Sequence, residues 1–158
     1  MQRMSPSSPS IPPHGRILAV DPGSRRIGVA LSDPDRIVAQ PLTTFTSGGR
    51  RKDLAALVEL ARQHDAVAMV VGLPYNMDGS EGPSFAAAAR LLEDLQDASG
   101  LPVRGWDERL TSVQAERTLI SAGVRRDRRR RKGMVDRVAA ALILESFLTF
   151  LSGSPEVR

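Results

Sequence analysis

The chain has 158 residues, 41% hydrophobic and 25% charged, and no cysteine; this suffices for one packed domain and excludes disulfides, thiolate zinc sites and cysteine nucleophiles. The net charge of +4 is uneven: Arg125, Arg126, Arg128, Arg129, Arg130, Arg131 and Lys132 against Asp127 make a local +6, leaving −2 for everything else. Such concentration is the electrostatic footprint of a site for a polyanion, with a merely solvated charge run as the alternative.

Residues 1–14 are rich in Ser and Pro without apolar periodicity, and read as a disordered leader. No segment approaches the roughly 20 apolar residues of a bilayer span and no apolar block opens the chain, so a cytoplasmic protein without a membrane partner is expected. The domain should run over residues 15–150, with 151–158 a flexible tail. Residues 16–21 form an apolar strand, Pro22-Gly23-Ser24 a turn and residues 27–32 a second strand, a hairpin with Asp21 at its bend. A third strand is expected over residues 37–45, before Gly48-Gly49.

Leu54, Leu57, Val58 and Leu60 give residues 51–64 a helical face, and the unbroken apolar run 66–73 suits a strand covered on both sides. A Gly- and Asp-rich loop over 75–83 leads to a helix over 84–98 that Gly100 would close. Residues 102–108 are the next strand. Thr111 and Gln114 have the spacing of a capping box, opening a helix that stops at Gly123. The basic segment, 125–133, is expected to be a mobile loop, followed by a helix over 135–150 that is apolar nearly all round. Three strands followed by alternating helices and strands indicate an α/β fold, a mixed β-sheet with helices on both faces.

The two histidines, His14 and His64, lack any surrounding ligand or base pattern, which leaves carboxylates as the groups able to carry chemistry. Asp21 ends the first strand, Asp107-Glu108 ends the last and Asp136 begins the last helix. Beyond the carboxyl ends of parallel strands such residues could converge. Singly, each reads equally as a turn former or a helix-start acid. Clustered carboxylates repel one another unless a cation sits between them, and Mg²⁺ or Mn²⁺, which prefer oxygen ligands, would serve phosphodiester hydrolysis.

Four strings then carry a resemblance: Asp21-Pro22-Gly23-Ser24-Arg25-Arg26-Ile27-Gly28-Val29-Ala30, Val71-Gly72-Leu73-Pro74-Tyr75-Asn76-Met77-Asp78-Gly79-Ser80, Asp107-Glu108-Arg109-Leu110-Thr111-Ser112, and Val135-Asp136-Arg137-Val138-Ala139-Ala140-Ala141-Leu142-Ile143-Leu144. In this order they resemble the YqgF/RuvX family, covering all but the two tails. The resemblance implies a ribonuclease-H-like fold, kinship with Holliday-junction resolvases, and a nuclease maturing the 5′ end of pre-16S ribosomal RNA. It puts Asp21, Glu108 and Asp136 in the family's acidic positions, as catalytic residues and as ligands of Mg²⁺ or Mn²⁺. Related resolvases tend to carry a further acid where this chain has Ala139, so three carboxylates stand where four could. Asp107 is a reserve ligand, since neighbouring strand residues point to opposite faces.

Arg26 and Arg109 would bind phosphate or pair with site acids, and Asn76 would contact substrate from its loop. Gly23 and Gly28 would allow close approach to a phosphate or serve turn and strand packing. With aromatics at 4%, Tyr75 and Trp106 are the stacking candidates, and arginine–phosphate contacts should dominate binding. RNA is the expected partner and branched DNA the rival, for which a homodimer would suit symmetric incision. Two further readings are a non-catalytic nucleic-acid-binding factor in transcription or ribosome assembly, and one half of a sugar-kinase- or actin-like phosphate-binding unit, suggested by Asp21-Pro22-Gly23.

Overall fold

The computed structural model describes residues 2–3, 9–111 and 132–153, the side chains of 2–3 and 132–137 excepted. Within it the chain forms β1 (Gln2–Arg3), β2 (Arg16–Pro22), β3 (Arg26–Ser32), β4 (Ala39–Thr46), α1 (Arg50–Gln63), β5 (Ala66–Leu73), α2 (Pro83–Ser99), β6 (Val103–Asp107), a single 3₁₀ turn (Glu108–Leu110) and a helix, α3 (Lys132–Ser152). The strands lie in one sheet of order β1-β6-β5-β2-β3-β4. At its centre β2, β5 and β6 run parallel, while β3 opposes both β2 and β4, and β1 opposes β6.

Alternation along the strands sorts the core into two layers. Ile17, Ala19, Ala30, Ala68, Val70 and Trp106 pack on α3 through Ala140, Ile143, Leu144 and Phe147. The intervening residues Leu18, Val20, Val29, Met69, Val71 and Val103 pack with Leu57 and Ala61 of α1 and Leu92 and Leu95 of α2. Helices thus cover both faces. The run from Ala140 to Leu144 is buried throughout, which is why α3 shows no amphipathic stripe. Gly100 closes α2 in the left-handed conformation, its N–H donating to the Gln96 carbonyl.

Several boundaries differ from the sequence reading for local reasons. The third strand begins at Ala39 because the Asp33 carboxylate accepts from the backbone N–H of Ile37 and of Val38, holding those residues in an exposed turn. The last strand ends at Asp107 because Glu108 opens the 3₁₀ turn, closed by the Thr111 hydroxyl donating to the Glu108 carbonyl. Thr111 therefore serves that turn, while the helix expected after it lies outside the described residues. The leader contributes β1, and its Pro9 and Pro12 carbonyls accept from Arg104 and Arg36, so parts of it contact the domain. At the other end α3 continues through Ser152 with Leu151 buried, two residues into the expected tail. Among the described residues no helix is long and apolar enough to cross a membrane.

Candidate active site

The carboxyl edge of the parallel strands is where the sequence-predicted acids meet. Asp21 continues the alternation of Ile17 and Ala19 and so belongs to the α3 face, as does Gly28, its register partner on β3. Glu108 follows β6, two strands from β2, with β5 between them. Neighbouring strands stand about 4.8 Å apart, so an intervening side chain would block the approach. At that place β5 carries Gly72, which pairs in register with Trp106. The Glu108 side chain crosses its bare backbone and shares a hydrogen bond with Asp21.

The crossing is tight. A Cβ on Gly72 would lie 2.6 Å from Glu108 Oε1 and 2.7 Å from Cδ1 of Ile143 on α3. Glu108 Oε1 is buried and makes no hydrogen bond among the described residues, an arrangement that costs free energy unless something else meets the oxygen. Burial first, then the hydrogen bond to Asp21, then the charges of Asp21 and Asp107, push the Glu108 carboxyl from its ordinary 4.5 to about 10. At neutral pH this pair holds a proton that a cation would displace. Two facing carboxyl groups and an orphaned oxygen fit a hard divalent ion.

Asp107 points the other way. Its Oδ1 accepts from the Arg109 backbone N–H at 2.9 Å, and its Oδ2 from Arg109 Nη2 at 2.7 Å. The guanidinium hydrogen bonds hold its carboxyl below the usual range. Arg109 also stacks its guanidinium 5.1 Å from the centre of the Tyr75 ring, and Tyr75 packs on Phe85. This clamp fixes Asp107 on the α2 side and thereby turns Glu108 toward Asp21. Of the two adjacent acids, Glu108 is the one delivered to the site.

The other sequence-predicted residues are distributed unevenly. Arg26 opens β3 on the α3 face. Asn76 braces its own loop, its amide donating to the Ser80 hydroxyl at 2.9 Å. Gly23 serves the hairpin turn, because its N–H donates to the Arg26 carbonyl and a Cβ there would stand 2.4 Å from that oxygen. Trp106 is no stacking platform: it is buried against Phe147, with its indole N–H donating to Ser146. Asp136 lies in α3 with its side chain outside the described residues, as do Arg125, Arg126, Arg128, Arg129, Arg130 and Arg131 entirely. Lys132 and Gly133, expected in the basic loop, have backbone in the first turn of α3. Among the described side chains no three acids or histidines group to hold a metal. Gly72 is the site residue that sequence reasoning left without a role, although a lone glycine in an unbroken apolar strand signals close approach of another group.

The profile of the RuvX family, described as Holliday junction resolvase, matches residues 15–149. A curated relative from Moorella thermoacetica, named "Putative pre-16S rRNA nuclease", is 48% identical over 133 residues, 84% of this chain and 94% of its own length. One of the same name from Symbiobacterium thermophilum is 44% identical over 140 residues, 89% and 96% of the two chains. Among solved structures, T. thermophilus RuvC in complex with Holliday junction substrate superposes with a TM-score of 0.59 at 15% identity, over 89% of this chain and 98% of that one. Fowlpox virus resolvase, in complex with substrate Holliday junction DNA, gives 0.55 at 11% identity, over 86% and 98%. These structural likenesses identify the fold as ribonuclease-H-like. The profile match and the sequence identities establish that this chain belongs to the RuvX family.

Proposed function

We propose that the protein is a nuclease hydrolysing phosphodiester bonds in structured or precursor RNA, at a site where Asp21 and Glu108, with Asp136 from α3, hold Mg²⁺ or Mn²⁺. The observation that carries this reading is the Glu108 carboxyl laid across Gly72 onto Asp21 with Oε1 unmet. A divalent ion bound there would neutralise the carboxylates and polarise a phosphodiester and its attacking water. Asp21 on a central strand, Glu108 after β6 and Asp136 from α3 would be the residues that hold the ion, and the ion would supply the positive charge that offsets their mutual repulsion.

The preference for RNA rests on the relatives: those named as pre-16S rRNA nucleases reach 48% identity, whereas the junction-bound resolvase structures share 15% or less. Maturation of the 5′ end of pre-16S rRNA in the cytoplasm is the corresponding role. The family description favours a second reading, cleavage of branched DNA by a homodimer. A precursor RNA spanning the 16S 5′ end and a four-way DNA junction, each incubated with Mn²⁺, Mg²⁺ or chelator, separate the two. Metal-dependent cleavage of the RNA alone is expected. Cleavage of the junction alone would reverse the assignment, and cleavage of neither substrate would leave a binding factor.

Nucleic-acid affinity is assigned mainly to the basic segment, on its charge density. Replacing Arg128 to Arg131 with Ser should weaken RNA binding and lower the slope of log K against log salt by roughly 0.7–0.9 for each phosphate no longer neutralised. Fluorescence anisotropy across a salt series measures both quantities. An unchanged slope would reduce the segment to a solubilising run.

A further inference from the structure

The 3₁₀ turn that carries Glu108 is tied at both ends. Asp107 opens it by accepting the Arg109 backbone N–H at 2.9 Å, and at its close the Thr111 N–H and hydroxyl both donate to the Glu108 carbonyl, at 3.1 and 2.9 Å. The direction in which the Glu108 side chain leaves the backbone is therefore set by its neighbours. This matters because a carboxyl laid against Asp21 would, on charge alone, turn away into solvent.

Arg109 extends the tie to another strand. Its guanidinium forks onto Asp107, with Nε 3.1 Å from both carboxylate oxygens and Nη2 2.7 Å from Oδ2. The same guanidinium lies 5.1 Å from the centre of the Tyr75 ring, which rests on buried Phe85 at 4.6 Å between ring centres. Gly79 lets the loop after β5 approach as well, since a Cβ there would stand 3.4 Å from Nη1. Tyr75 follows β5, the strand whose Gly72 the Glu108 side chain crosses. One strand thus supplies both the notch for Glu108 and the platform that steadies its turn. The charge of Arg109 also offsets Asp107, which would otherwise add its repulsion to that between Glu108 and Asp21.

We propose that Arg109 and Tyr75 are positioning residues for Glu108, acting through Asp107, and that Arg109 keeps its hold on Asp107 when nucleic acid is bound instead of turning to a phosphate. The expected effect on rate rests on the nuclease reading above; the effect on the Glu108 side chain does not. Asp107 is 8% exposed at its side chain, so taking the guanidinium away would leave a largely buried carboxylate without its cation, a cost that a phosphate contact in water does not offset.

Arg109→Ala removes the fork and the ring contact. Arg109→Lys keeps the charge without the planar fork. Tyr75→Leu keeps apolar bulk without the ring face, and Arg62→Ala, an exposed ion-paired arginine at the far end of α1, is the control. With RNA and Mn²⁺, kcat should fall roughly a hundredfold in Arg109→Ala, the scale of a displaced reacting group. It should fall by less in Arg109→Lys and Tyr75→Leu, with KM unchanged in all three, and Arg62→Ala should match the parent. Fluorescence anisotropy in chelator should give Arg109→Ala the parent's Kd and salt slope. A raised Kd with the slope lowered by roughly 0.7–0.9 would make Arg109 a phosphate ligand and overturn the proposal.

Melting temperature supplies a readout independent of activity. Gly72→Ala forces Glu108 off β5, so it should lower Tm in the parent and lower it by less in Arg109→Ala or Tyr75→Leu, where the turn is already released. A merely structural role for Arg109 and Tyr75 would make the two losses add. Strict additivity in both backgrounds therefore overturns the proposal, as does a parent-like kcat in Arg109→Ala. If the parent cleaves no substrate with any metal, the nuclease reading falls, and the melting comparison still decides whether Arg109 and Tyr75 hold Glu108.

Discussion

Asp21→Asn, Glu108→Gln and Asp136→Asn should each lower metal-dependent cleavage by roughly a thousandfold or more while leaving the protein folded. Each amide keeps the volume of the acid and removes the charge that would hold a cation. Their melting behaviour in chelator should distinguish Glu108 from an ordinary surface acid. Because its carboxyl is raised from 4.5 to about 10, the folded protein binds a proton there that the unfolded chain releases. Stability carried by this group is therefore lost as pH rises from the unfolded value toward the folded one.

Glu108→Gln lacks that penalty. Since the residue borders solvent, the gain at neutral pH should be about 1–2 kcal/mol, or roughly 2–8 °C in melting temperature for a chain of this length. The advantage over the parent should shrink toward pH 4.5 and grow above neutrality, and added Mn²⁺ should stabilise only the parent. Melting curves across pH with and without Mn²⁺, beside cleavage rates on one RNA, test this. Parent-like cleavage by all three folded variants would remove the site assignment.

The second large effect is expected at Gly72, a position with no reactive group. In Gly72→Ala the added methyl meets Glu108 Oε1 at 2.6 Å and Ile143 Cδ1 at 2.7 Å. Ile143 is buried in the α3 layer and has little room to yield. The Glu108 carboxyl must therefore swing off β5 and part from Asp21. Overpacking of this kind costs about 1–3 kcal/mol, and a displacement near 1 Å in a reacting site costs about a hundredfold in rate. Cleavage should fall by that factor while RNA affinity in chelator stays at the parent level. Glu108→Asp added to Gly72→Ala shortens the colliding side chain and should recover part of the stability but none of the rate. Gly72→Ala cleaving at the parent rate would show that Glu108 need not cross the strand.

Local features made much of this architecture readable in advance. The unbroken apolar run of β5 announced a strand buried on both faces, and Gly100 announced the end of α2. Asp21 could be placed at a strand end beside a turn. What stayed illegible depended on groups distant in sequence or on one-residue parity. A shift of one position exchanges the two faces of a strand, so the choice between Asp107 and Glu108 awaited the clamp of Arg109 on Tyr75. Trp106 looked like a platform until the sheet turned it onto α3.

By itself, then, the sequence determined the α/β class, the run of elements and the acids available for chemistry, because capping, turn formation and apolar periodicity are short-range properties. Only the tertiary structure decided that β5 lies between β6 and β2 and that Gly72 must therefore be bare. Those outcomes follow from strand order and helix packing, which are set by burial across the whole sheet and leave no trace in any single segment.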